Sequence, residues 1–240
     1  MGKLAQYYEL AQYYDLFYSH KDYQKDSAYI KKLISRHKKS EGKELLDVGC
    51  GTGKHLQYFE KEFSCTGIDA SGKMIAIAKK RCKSARFKTG DMRNFSLKRK
   101  FDAITCLFSS IGYLTTYKDL EDALFNFSRH LKKGGVLIIE PWLTKQEYRV
   151  GVPRLITRET NDLKIARLNV SEKKRGLCIL DFHFLIAEKG KKVMYVRDYQ
   201  EMGLFGKKKT LHILRKAGLP AIFMKGGLEE RRGLFIGVKQ

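Results

Sequence analysis

The chain has 240 residues, of which 43% are hydrophobic, and a formal net charge of +22 at pH 7. That length and composition suffice for one sizeable core with an attached lobe, and no stretch approaches the roughly 20 apolar residues that a membrane span needs. The basic residues are dispersed, with only short clusters at Lys98-Arg99-Lys100, Lys207-Lys208-Lys209 and Arg231-Arg232, so the charge suits a solvated lysine-rich surface, a small anionic substrate or nucleic acid.

The opening segment, MGKLAQYYELAQYYDLFYSH, carries Glu9 and Asp15 among its aromatics. It lacks the uninterrupted apolar region of a signal peptide. Tyr7, Tyr8 and Tyr18 fit the aromatic side of an amphipathic helix. From residue 43 strands and helices alternate. KELLDVG is a short apolar strand ending at glycine, and KHLQYFEKEF follows as a helix. CTGIDAS and ARFKTGD read as the second and third strands, with the helix GKMIAIAKKRC between them. FDAITCLFSS is a fourth strand, and Leu120, Leu124, Phe127 and Leu131 then recur at helical spacing. Gly134-Gly135 is the expected stop of that helix, and VLIIE the fifth strand, apolar throughout as if covered on both faces. This rhythm predicts an α/β fold, a doubly wound, mostly parallel Rossmann-like sheet with helices on both sides.

After Pro141-Trp142 the rhythm changes. RLITRET, LKIARLNVSE, GLCILDFHFLIAE and KKVMYVRDYQ are strand-like runs separated by turn residues, and they predict an inserted antiparallel β-meander. A helix near 207–217 and the strand GLFIGVK return the chain to the main sheet. The expected division is a main domain of residues 1–140 and 203–240 and an inserted lobe of residues 141–202. The five cysteines (Cys50, Cys65, Cys82, Cys106 and Cys178) stand singly, with no C-x-x-C pair. Reduced, buried thiols, a cytoplasmic protein and no metal site are therefore expected.

The chemistry concentrates at Asp47-Val48-Gly49-Cys50-Gly51-Thr52-Gly53, where a strand turns toward a helix. A phosphate-binding P-loop needs G-x-x-x-x-G-K-[ST], but Val48 stands at the first glycine and His55 where the hydroxyl residue belongs. The dinucleotide fingerprint G-x-G-x-x-G fails as well, its third glycine being Lys54 or Leu56 depending on the starting point. What remains is D-x-G-x-G-x-G followed by Asp69 at the end of the second strand and Asp91 after the third. This layout suits S-adenosylmethionine. The glycine backbone can approach the methionine part, and Asp47 can reach its ammonium group. Asp69 is placed to accept both ribose hydroxyls, and Asp91 to accept from the adenine amine with Met92 beside the ring. Gly49, Cys50, Gly51, Gly53, Ala70, Met74 and Leu107 complete the expected cofactor site. These residues imply a class I methyltransferase that releases S-adenosylhomocysteine.

For the acceptor, the [DNS]-P-P-[YFW] motif of base-amine methylases is missing from CLFSSIGYL, and Cys106 follows Thr105 where RNA cytosine-C5 enzymes need a Pro-Cys nucleophile. YYDLFY…KDY, LLDVGCGTGKHL, GDMRNF, FSSIGYL, EPW and GG…RRGLFIGV occur here in a fixed order. Together they resemble the bacterial N,N-dimethyltransferases of TDP-linked 3-amino-deoxysugars, the desosamine and mycaminose type, over nearly the whole chain. The resemblance implies that Tyr14 and Tyr23 lie over the cofactor, with Tyr14 also at the reacting centre. It implies that Ser110 and Tyr113 face the transferred methyl, that Glu140 and Trp142 close the acceptor pocket, and that Arg232 holds a nucleotide diphosphate. Arg231 departs from the small residue usual there. The resemblance further implies a homodimer with the meander as a lid. The expected acceptor is the amine of a small anion such as a nucleotide-linked amino sugar, and an RNA acceptor bound by the basic surface is the alternative.

Overall fold

The computed structural model describes residues 10–229 and 232–240; Tyr7, Tyr8 and Arg231 fall outside them. Two helices precede the first strand: α1 (Ala11–Phe17) and α2 (Tyr23–His37). The side chain of Asp22 caps α2 by accepting from the Lys25 amide at 2.9 Å, satisfying one of the free donors of a helix N-terminus. Then follow β1 (Glu44–Val48), α3 (Leu56–Phe59), β2 (Ser64–Asp69), α4 (Gly72–Arg81), β3 (Arg86–Thr89) and β4 (Phe101–Cys106). Ser71 caps α4. A 3₁₀ turn (Ser110–Tyr113) leads into α5 (Tyr117–His130), capped by Thr116, and then β5 (Leu131–Ile139).

The helix expected over residues 54–63 is only the four residues of α3, its flanks being turns. The helix expected to stop at Gly134-Gly135 ends at His130 instead. Leu131 already pairs with Phe101 across the sheet, and Gly134, at φ 75°, lies within β5. Its carbonyl accepts from the Lys39 and Ser40 amides, so the glycines serve a bend against the α2–β1 connection rather than a helix end.

Four antiparallel strands follow: β6 (Pro153–Glu159), β7 (Leu163–Lys174), β8 (Leu177–Glu188) and β9 (Met194–Gly203). The chain returns through α6 (Lys207–Lys216), β10 (Ala221–Met224) and β11 (Leu234–Val238). The large sheet has the order β10-β11-β5-β4-β1-β2-β3, and the second sheet β6-β7-β8-β9. Within the large sheet β11 alone runs antiparallel to its neighbours β5 and β10. This is the α/β fold expected from the strand–helix rhythm.

Alternate residues of β1 show why the sheet is covered on both faces. Leu45 joins Ile30, Ile34 and Phe59 in one core, whereas Leu46 joins Leu120, Leu124 and Phe127 in the other. The inner face of the second sheet has its own core, in which Phe17 of α1 meets Phe184 edge-on with 5.1 Å between ring centroids. Helix α1 therefore lies between the two sheets. Asp15 ties it to the glycine loop, accepting from Thr52 Oγ1 at 2.7 Å and pairing with Arg81 of α4. Among the described residues no helix is long and apolar enough to cross a membrane.

Candidate active site

A cavity of about 670 Å³ runs between the C-terminal ends of the large sheet's strands and the inner face of the second sheet. Ligands of open α/β sheets bind at those strand ends. Gly49, Gly51 and Gly53 all have positive φ (71°, 54° and 78°), but they are needed for different reasons. A Cβ on Gly49 would lie 2.6 Å from Ser110 Cβ, and one on Gly53 would crowd Ala78 and Cys82 beside α4. At Gly51 an added Cβ would meet no atom within 4 Å, and the residue lines the cavity. Its bare backbone faces room for a ligand.

Asp69 fixes that loop from the end of β2. Its Oδ2 accepts from the Gly51 amide at 2.9 Å and its Oδ1 from the Ser71 amide at 2.8 Å. Burial raises the Asp69 carboxyl above its usual range, against those two amides, which lower it. Each oxygen keeps a further lone pair, and the residue borders the cavity. A bare glycine cradle beside a backbone-anchored carboxylate fits the amino-acid and ribose parts of S-adenosylmethionine.

Asp91 and Met92 also line the cavity. The Asp91 carboxylate is held by Arg93, whose Nη2 donates to Oδ2 at 2.6 Å while Nη1 reaches Asp119 at 2.9 Å. These hydrogen bonds hold Asp91 below the usual carboxylate range. Arg93 and Asp119 are thus additions that the sequence reading did not single out.

Asp47 is placed differently from its neighbours. Its side chain is buried beneath the loop rather than in the cavity wall, accepting from Thr105 Oγ1 at 2.8 Å. Burial pushes its carboxyl up to about 7, Thr105 opposing and Asp69 adding. Tyr23 packs against His55 and Phe108, Leu107 lies in the core, and Cys50 and Gly53 belong to the inner side of the loop. None of these is on the cavity wall, whereas Tyr14, Ala70 and Met74 are.

The acceptor end begins at a strained corner. Phe108 and Ser109 have φ of 49° and 61°, uncommon for residues with a side chain. Glu140, wholly buried behind the corner, accepts from the Phe108 amide at 2.6 Å, and Ser109 Oγ donates to the Pro141 carbonyl at 2.8 Å. Burial raises the Glu140 carboxyl, with the nearby Arg232 guanidinium opposing. Arg232 lies between Glu140 at 3.7 Å and Glu229 at 3.3 Å, over the Trp142 ring, and donates to Ser109 Oγ at 3.0 Å. Ser110, Tyr113, Trp142 and Arg232 line the cavity; Glu140 stands behind its wall.

The second sheet supplies the opposite wall. Arg167, Asn169 and Ser171 of β7 and Gln200 of β9 face the cavity. The Tyr113 hydroxyl donates to Gln200 Oε1 at 3.3 Å, and Gln200 Nε2 donates to Asp198 Oδ2 at 2.5 Å. For Gln200 the sequence YVRDYQEMG carries a signal once the buried face of β9 is known, because polar Asp198 and Gln200 share that face with Met202. A strand that puts polar groups on its covered side is lining something. Among the described residues no group of three His, Cys, Asp or Glu stands where it could hold a metal ion.

Residues 45–135 match the family model of a methyltransferase domain. The dTDP-3-amino-3,4,6-trideoxy-alpha-D-glucopyranose N,N-dimethyltransferase of Streptomyces venezuelae is 38% identical over 95% of this chain and 97% of its own. The dTDP-3-amino-3,6-dideoxy-alpha-D-glucopyranose N,N-dimethyltransferase of Streptomyces fradiae is 35% identical over 96% and 91%. Among solved structures, Streptomyces venezuelae DesVI superposes with a TM-score of 0.89 at 36% identity, covering 96% of this chain and 98% of that one. The S-adenosylmethionine-bound CalS10, an amino pentose methyltransferase from Micromonospora echinaspora, gives 0.82 at 28% identity, covering 92% of each.

Proposed function

The chain belongs to the family of S-adenosylmethionine-dependent sugar N,N-dimethyltransferases, and from that premise we propose that it methylates the amine of a nucleotide-linked amino sugar. The observation that carries this reading is the single cavity that joins the bare Gly51 backbone and Asp69 at one end to Tyr113, Trp142 and Arg232 at the other. A donor and an acceptor bound there share one space, the condition for an in-line transfer.

In this reading Gly49, Gly51, Asp69, Asp91 and Met92 hold the cofactor, and Tyr14 covers it. When bound, S-adenosylmethionine supplies a sulfonium methyl whose carbon takes the amine's lone pair as its bond to sulfur breaks, leaving the thioether and a protonated amine. The protein's task at the acceptor is orientation. Tyr113 and Ser110 set the nitrogen in place, and the extra proton leaves to water, so no strong base is required. Arg232 offers a planar fork of donors suited to a diphosphate, while Trp142 packs beneath it and Glu140 secures the corner that carries Ser109. Residues 141–202 close the acceptor end as a lobe on the body formed by 1–140 and 203–240, and a homodimer with no metal completes the reading.

The test is a transfer assay with labelled S-adenosylmethionine and purified protein against nucleotide-linked amino sugars and total RNA. Label in the amino sugar is expected. Label confined to RNA would overturn the proposal in favour of a polyanion substrate held by the +22 surface.

A further inference from the structure

Among the described residues four arginines line the cavity: Arg93, Arg154, Arg167 and Arg232. Two are answered by acids, Arg93 by Asp91 and Asp119, and Arg232 by Glu140 and Glu229. Arg154 and Arg167 form no ion pair with the described residues. They stand on neighbouring strands of the second sheet, where Arg154 pairs with Asn169, two residues beyond Arg167. Arg154 is exposed, whereas Arg167 is only 9% exposed. The Arg167 guanidinium lies against two rings, 4.4 Å from the centroid of Phe182 and 5.3 Å from that of Phe17, and its buried Nε has no hydrogen-bond partner. Asp198 feels the charge of Arg167 through the interior, but its Oδ2 is taken by Gln200. Removing a guanidinium from water costs more than ring contacts return. Its position makes sense if an anion arrives with a ligand.

Phe17 belongs to α1, which also reaches the glycine loop. Asp15, two residues earlier, accepts from Thr52 Oγ1 at 2.7 Å and pairs with Arg81. Helix α1 has seven residues and no side-chain cap at its N-terminus, so its own hydrogen bonds hold it weakly and these contacts fix its place. We infer that Arg167 binds a phosphate group of the acceptor and that, through Phe17 and α1, it couples the two substrates, so that acceptor and cofactor each bind more tightly when the other is present. The inference rests on the nucleotide-sugar reading above. An anion on Arg167 holds the guanidinium against Phe17 and secures α1 on the side of the second sheet. Asp15 then holds Thr52 with less freedom left to lose when the cofactor binds. The coupling is reciprocal, because a cofactor that orders the loop leaves Phe17 in place for the acceptor.

Calorimetry of S-adenosylhomocysteine binding, without and with saturating thymidine diphosphate, measures the coupling, and the reverse titration checks it. The wild type should show about three- to tenfold tighter binding in both directions. Arg167→Met keeps the bulk and the ring contacts but removes the charge. Its affinity for thymidine diphosphate should fall about ten- to a hundredfold and the coupling should vanish. The ligand-free variant should melt no lower than the wild type, because an unanswered buried cation is gone. A lower melting temperature would make Arg167 a packing residue and overturn the inference. Phe17→Leu should keep nucleotide affinity within about fivefold yet reduce the coupling to under about twofold. If the methionine variant does not fold, Arg167→Lys carries the comparison. It keeps the charge, loses the fork and should bind the nucleotide about tenfold more weakly. Equal S-adenosylhomocysteine affinity with and without nucleotide in the wild type, or unchanged nucleotide affinity in a folded Arg167 variant, overturns the inference. A wild type that neither binds thymidine diphosphate nor methylates any amino-sugar nucleotide overturns the underlying reading instead.

Discussion

Asp47 holds a carboxyl inside the protein whose folded value is about 7 against an ordinary 3.8. Below pH 4 it is protonated whether the chain is folded or not, so it has no effect on stability. Between about 4 and 7 the unfolded chain loses a proton that the folded chain retains, and stability falls as pH rises. Above 7 the full cost of burying the ionised group applies. Asp47→Asn should therefore melt about 10 °C higher than the wild type above pH 7 and at the same temperature below pH 4, as thermal scans of the ligand-free protein across pH can establish. Asp69, in the proposed reading, bears on the ligand instead. Asp69→Ala should weaken S-adenosylmethionine binding about ten- to a hundredfold, the range for lost hydrogen bonds to a charged group; unchanged affinity by calorimetry in a folded variant would remove it from the ribose. The positions of both aspartates at strand ends were legible because glycines mark their surroundings, but that Asp47 turns beneath the loop toward Thr105 instead of into the cavity was not. Gln200 and Arg93 were not. Choosing the covered face of β9 requires its register with β8, and the attachment of Arg93 to Asp119 spans 26 residues.

At the scale of elements, α1 is the piece that joins the two sheets. Phe17 enters the core of the second sheet, and Asp15 holds Thr52 in the glycine loop. Asp15→Ala removes the carboxylate that pairs with Arg81 and the acceptor of the Thr52 hydroxyl, and with it one tether of the loop. Because Asp15 is off the cavity wall, cofactor affinity should fall only about three- to tenfold, accompanied by faster protease cleavage near residues 10–20, both measurable on the same preparation. This helix was hard to read because aromatic residues dominate it and its apolar side faces an element more than a hundred residues away. The same limit applies to Gly134-Gly135. In sequence the pair resembles a helix stop, but its use is set by Lys39 and Ser40, which local pattern cannot reveal. The alternating strands of the meander, by contrast, carry their own turn signals and were plain.

At the scale of the whole molecule, the net charge of +22 can act through one site or through many. If the acceptor is a nucleotide sugar, one well-placed guanidinium should outweigh the dispersed lysines. Arg232→Ala should then raise KM by about 1.5–3 kcal/mol, while Lys207→Ala, whose amine is paired with Glu147 at 2.6 Å, changes little. A salt series on both variants is the check: equal small losses with a steep salt slope would mean many weak phosphate contacts and an RNA acceptor. The topology has a further consequence for synthesis. Strand β11 occupies the slot between β5 and β10, yet it is translated after everything else in the sheet. While the ribosome makes the meander, β5 waits with one hydrogen-bonding edge bare, a state prone to pairing with a neighbouring nascent chain. The strands that carry the glycine loop are complete early, and the sheet closes only when β11 has followed the meander and β10.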